Sequence, residues 1–158
     1  MANIEIKAVT QGRGRICNQL LRSLPLWFGI DAAIVKYVAE VETMPTFAAY
    51  DGERIAGFLS LNRHNGWTAE VHVMAVQRDL HRRGIGRGLL TAAEKYLKEF
   101  GYEFLSVKTL SPSSPNKEYE LTRKFYSAVG FRPVEEFKTL WGPANPCLLM
   151  IKSLHLVA

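Results

Sequence analysis

Ile4, Ile6 and Ala8 alternate with polar residues, which predicts a first strand. Ile16, Leu20, Leu21 and Leu24 then recur at helical spacing until Pro25 stops the pattern. Asp31 is placed to cap a second helix carrying Ile34, Val38 and Val41 on one face. From Thr46 the period changes to two. Phe47 and Ala49, the turn Asp51-Gly52, the run Ile55 to Leu61, the turn Asn65-Gly66 and the run Thr68 to Val76 predict a three-stranded antiparallel meander. Ile85, Leu89, Ala93, Tyr96, Leu97 and Phe100 form an amphipathic stripe that Gly101 ends. Phe104, Leu105 and Val107 predict a buried strand. After it, Ser114 and Pro115 are suited to cap and open a helix running through Leu121, Phe125 and Val129 to Gly130. Short strands near Phe131 to Phe137 and Cys147 to Lys152 complete the pattern. The order β α α β β β α β α β β describes a mixed α+β domain spanning residues 1–158, with about seven strands and four helices, mostly antiparallel.

Composition narrows the class further. With 47% hydrophobic residues in 158, the chain can bury a full core, which excludes intrinsic disorder. Its longest apolar stretches, Leu24 to Ile30 and Cys147 to Ile151, fall far short of the roughly 20 residues a membrane span needs. Glu5 and Lys7 interrupt the N-terminal segment, so neither a secretory signal nor a transit peptide is expected, and the expected location is the cytoplasm. Cys17 and Cys147 match no metal-ligand or redox spacing and are expected to be reduced core residues; no metal is expected. The net charge of +5 is modest. Its placement is what matters.

Arg78, Arg82, Arg83 and Arg87 crowd one short loop between a strand and a long helix, together with Gly84 and Gly86. Free N–H groups and the macrodipole at a helix start attract anions, glycine permits close approach, and the arginines add charge. A phosphate ligand follows. A Walker loop is excluded because G-x-x-x-x-G-K-[ST] occurs nowhere. A dinucleotide fingerprint fails too, since Leu89 stands where its third glycine belongs and seven residues separate Val76 from Gly84. Nucleic acid is not the expected partner, because the charge is confined to one anion-sized spot.

The string His81-Arg82-Arg83-Gly84-Ile85-Gly86 resembles the Q/R-x-x-G-x-G/A cofactor signature of the GNAT family of acetyl-CoA-dependent N-acetyltransferases. Phe125-Tyr126-Ser-Ala-Val-Gly130-Phe131 resembles the FYxxxGF element of the same family. Two departures stand out: His81 replaces Gln or Arg, and Tyr119 stands where many members carry an asparagine, a contact that Asn116 is placed to supply. The resemblance implies the GNAT fold, with Met74, Ala75 and Val76 pairing their backbone with the pantetheine arm. It also implies that the N–H groups of Arg82, Arg83, Gly84, Ile85, Gly86 and Arg87 cradle the pyrophosphate, with Phe125 nearby.

Acetyl transfer to an amine needs a base, an oxyanion donor and a proton for the leaving thiolate. The resemblance implies Glu70 as base, with His72 as the alternative, since strand alternation puts both on one face. It implies Tyr126 as the donor to the departing sulfur and a backbone N–H near Met74 or Ala75 as the oxyanion donor, leaving Phe125 as the core aromatic of the FY pair. The implied reaction is direct transfer from acetyl-CoA to a small-molecule or peptide amine. A non-catalytic acyl-CoA-binding module is the alternative, and a homodimer stays open.

Overall fold

A computed structural model of the chain describes residues 3–155. Among these are seven strands and four helices: β1 (Ile4–Ala8), α1 (Arg13–Arg22), α2 (Asp31–Val41), β2 (Thr46–Asp51), β3 (Arg54–Arg63), β4 (Thr68–Val76), α3 (Ile85–Glu99), β5 (Phe104–Leu110), α4 (Lys117–Ala128), β6 (Arg132–Phe137) and β7 (Cys147–Ser153). A short 3-10 turn, Arg78–Leu80, precedes α3. The strands form a mixed sheet in the order β1-β2-β3-β4-β5-β7-β6, with β4 and β5 parallel. None of the described helices is long and apolar enough to cross a membrane. The chain groups into two compact units, Met1–Asn62 with His72–Leu97 and Arg63–Val71 with Lys98–Ala158.

In the first unit, α1 and α2 bury Ile16, Cys17, Leu20, Leu21, Ile34 and Val41 with Ala48, Phe58, Val73 and Ala75 of the strands. Each fully buried leucine contributes roughly 2 kcal/mol. Gly14 lets the two helices approach, since a Cβ there would stand 2.9 Å from the Val38 carbonyl oxygen. The α1 N-terminus has no side-chain cap of its own, and the Glu42 carboxylate accepts from the Gly14 N–H instead. Asp31 does not cap α2 as expected. Ile30 holds the cap position, while Asp31 opens the helix and pairs with Arg22 at 2.7 Å, an acidic residue at the end the dipole favours.

The second unit is built on β5, β6 and β7. β7 pairs with β5 from Phe104↔Ser153 to Leu110↔Cys147, and with β6 on its other edge. Leu105, Val107, Val129, Phe131 and Met150 are buried there. Asn116, rather than Ser114, caps α4, its Oδ1 accepting the Tyr119 N–H at 3.1 Å. The stripe expected along Leu121, Phe125 and Val129 is rotated. Leu121 is exposed, Phe125 half-buried, and Tyr126 buried at 5% exposure. Tyr126 and Val129 are the buried positions here, and Tyr119 and Thr122, at helical spacing before them, are half-buried.

Candidate functional site

The first intrahelical bond of α3 runs from the Gly88 N–H to the Gly84 carbonyl at 2.9 Å. The N–H groups of Gly84, Ile85, Gly86 and Arg87 therefore precede any helical acceptor and gather at the positive end of the helix dipole. Gly84 sits at φ +78°, and a Cβ built there meets nothing within 4 Å, so the approach to these donors is open. Arg82 adopts φ +65°, the only left-handed non-glycine among the described residues. His81, Arg82, Arg83 and Arg87 are exposed, whereas Ile85 is buried and anchors the helix start. Free donors, an open approach and basic side chains fit a diphosphate.

Two contacts hold this loop from behind. Arg54 forks onto Asp79, Nη2 to Oδ1 at 2.7 Å and Nη1 to Oδ2 at 3.0 Å, which raises the guanidinium pKa and lowers that of the carboxyl. His81 donates its Nε2–H to the Val76 carbonyl at 2.8 Å, and Trp27 packs edge-on against the ring with centroids 5.5 Å apart. The residue that departs from the family signature thus serves the loop's own backbone.

On β4, the register with β5 runs from Thr68↔Phe104 to Val71↔Val107, and Met74, Ala75 and Val76 lie beyond it. Gly57 of β3 stands close to this stretch, where a Cβ would come within 2.9 Å of the Ala75 carbonyl oxygen. His72 places Nε2 3.1 Å from Glu40 Oε1 and stacks edge-on with Tyr37, both residues of α2.

Glu70 has a different set of partners within the second unit. It is 7% exposed; Lys108 Nζ donates to Oε1 at 2.8 Å and Oε2 at 3.1 Å, and His64 Nε2 lies 2.6 Å from Oε1. A carboxylate this enclosed is stable only because it is paired. Cys147, at the β5-facing start of β7, is held protonated by burial, its thiol pushed up to about 11 despite the Lys108 charge. Cys17 is pushed further, to about 12, by burial alone. Both cysteines are free and buried, so neither offers a thiolate near neutral pH. Among the described residues, no cluster of His, Cys, Asp or Glu could hold a metal ion.

Tyr126 packs edge-on against Phe125 and Phe131, with centroids 5.4 Å away in both cases. The burial expected of Phe125 falls on its neighbour, Tyr126 being the buried ring of the pair and Phe125 the half-buried one. Asn116 spends its side-chain oxygen on the α4 cap.

Sequence reasoning missed Glu40, Lys108 and His64. Glu40 and Lys108 meet their partners across 32 and 38 residues, and no local pattern encodes that. His64 was within reach, since it faces Glu70 across the short connection that joins β3 to β4.

The chain matches the family model described as Acetyltransferase (GNAT) family over residues 18–131. No curated protein matches it. Among solved structures it is similar to an aminoglycoside 6′-N-acetyltransferase complexed with coenzyme A, at 19% identity and TM-score 0.76, covering 98% of this chain and 99% of that one. It is also similar to the ribosomal-protein-S18-alanine N-acetyltransferase from Escherichia coli, at 14% identity and TM-score 0.77, covering 99% and 97%. A third is a GNAT family acetyltransferase from Elizabethkingia anophelis with acetyl-CoA bound, at 23% identity and TM-score 0.70, covering 96% and 98%. The fold expected from the sequence is the fold found.

Proposed function

Because the chain belongs to the acetyltransferase (GNAT) family, we propose that it moves the acetyl group of acetyl-CoA to a primary amine by direct attack, both substrates being bound together in the cytoplasm. The observation that carries the reading is the open set of N–H donors at Gly84, Ile85, Gly86 and Arg87, ringed by arginines. Coenzyme A brings about four negative charges near neutral pH, and this loop answers them. Two of the similar structures are named as N-acetyltransferases, one of an aminoglycoside and one of a ribosomal-protein alanine, which supports an amine as acceptor.

When bound, acetyl-CoA supplies an acetyl group activated as a thioester. The chain's own residues do the rest. The N–H groups of the α3 turn, with Arg82, Arg83 and Arg87, bind the diphosphate, and the backbone of Met74, Ala75 and Val76 holds the pantetheine arm. Only about one part in 10³ of an alkylamine is unprotonated at pH 7, so a residue of β4, Glu70 or His72, takes a proton from the acceptor. Tyr126 holds a proton for the sulfur, a modest task because a thiol near pKa 8.5 is a fair leaving group. Cys17 and Cys147 carry no acyl group, being buried as protonated thiols.

Thiol release from acetyl-CoA across a panel of amines tests the proposal, with calorimetry measuring acetyl-CoA binding alongside. Tyr126→Phe keeps the ring packing and is expected to lower turnover roughly 10- to 100-fold while binding is retained. Tight binding without turnover on any amine would make the chain an acyl-CoA-binding module, and no binding at all would end the reading.

A further inference from the structure

Resting on the acetyl-transfer reading, we infer that Glu40 and His72 form the proton-accepting pair of the site, with Glu40 the positioning residue that holds the imidazole ready. Both lie in the first compact unit. Tyr37 and Glu40 are three positions apart on α2, hence about one turn apart on a shared face, and both reach His72.

The chemistry follows from which atom is engaged. A carboxylate oxygen only accepts, so the 3.1 Å contact requires His72 to carry its hydrogen on Nε2. The lone pair is then on Nδ1. A carboxylate behind an imidazole fixes the tautomer and stabilises the imidazolium once a proton arrives, the division of labour seen in hydrolase triads. The side chain of His72 is 17% exposed and that of Glu40 is 35% exposed, so the pair is partly shielded yet can exchange protons with water.

The two candidate bases differ in what protonation would do to them. Glu70 already accepts from Lys108 through both oxygens, so adding a proton dissolves a part-buried ion pair. Adding a proton to His72 creates an ion pair with Glu40. The groups bearing on His72 are Glu40 and Tyr37 from α2, with Glu70 two residues away along β4. Among these, Glu40 holds a carboxylate oxygen 3.1 Å from the ring's Nε2.

The step balances as follows. The acceptor ammonium gives one proton to Nδ1 of His72. The freed amine lone pair forms the C–N bond to the acetyl carbon, the C–S bond breaks with its electron pair on sulfur, and the next proton of the amine nitrogen passes to that sulfur. The imidazolium then returns its proton to water.

Two measurements test this on the full chain, with Glu40→Gln and Glu40→Asp. NMR of the ligand-free protein, with the His72 signals assigned through His72→Gln, is expected to show the ring titrating at lower pH in Glu40→Gln and near the wild-type position in Glu40→Asp. In thiol-release assays, the rising limb of kcat/KM with pH is expected to move the same way, with kcat reduced about 10-fold and KM for acetyl-CoA little changed. An unmoved His72 titration overturns the pairing. A limb displaced by Glu70→Gln and left in place by Glu40→Gln assigns the base to Glu70 instead. A wild-type chain that releases no thiol with any amine ends the acetyl-transfer reading, whereas a failure confined to the Glu40 variants' profiles ends only this inference. Folding of each variant is checked by circular dichroism, and Glu40→Asp, which keeps the charge, carries the test if Glu40→Gln does not fold.

Discussion

Arg82 and Gly84 adopt left-handed backbone conformations two positions apart, at φ +65° and +78°, yet they respond to substitution in opposite directions. At Arg82 the conformation costs about 1 kcal/mol that glycine would not incur. Arg82→Gly is therefore expected to raise the melting temperature while weakening acetyl-CoA by the loss of one charge. Gly84→Ala imposes the same strain and puts a methyl group in the open approach to the α3 donors. It is expected to lower the melting temperature and weaken acetyl-CoA more than about tenfold. Calorimetry and thermal melts on both variants decide the matter, and equal effects would refute it. The glycine-arginine string was legible in sequence because its chemistry is local. What His81 does was not legible, because its partners, the Val76 carbonyl and Trp27, are set by how the loop folds back.

At the scale of elements, hydrophobic period located the seven strands and four helices of the described residues, while the ends and faces were decided by polar groups. The Asn65-Gly66 pair marked a connection correctly, but Gly66 does not take a positive φ. Instead Asn65 Oδ1 accepts from the N–H groups of Trp67 and Thr68, both at 2.8 Å, and shapes a wider bend. The α4 start moved from Ser114 to Asn116 for a similar reason, since the side chain that reaches an orphan N–H defines the cap. Asn116→Ala is expected to cost about 1 kcal/mol and Ser114→Ala close to nothing, read from urea midpoints. The reverse ranking would restore Ser114 as the cap. The face of α4 was misjudged because Leu121 and Phe125 outrank tyrosine and threonine in hydropathy. Tyr126, next to Phe125, is nevertheless the residue the helix buries.

For the molecule as a whole, the strand order placing β7 between β5 and β6 is a long-range pairing that no local pattern announces. Stability across pH has a similarly global reading. Cys17 and Cys147 are raised by burial from 9.0 to about 12 and about 11, so the folded state keeps protons that the unfolded chain gives up. Their contribution is complete below pH 9 and declines as pH climbs towards 11 and 12. Denaturant midpoints are expected to fall over that interval, and to fall less steeply when both cysteines are replaced by alanine, measured relative to each variant's own neutral-pH value. Iodoacetamide at pH 8 is expected to label neither thiol until the protein is unfolded; rapid labelling of the native chain would contradict their burial.

The edge-on contact between Trp27 and His81 has an optical consequence. Of the three tryptophans, Trp67 and Trp141 are exposed, whereas Trp27 is half-buried against the imidazole of the arginine-rich turn. Trp27→Phe is therefore expected to shift the protein's own fluorescence to the red, since the indoles that remain face water.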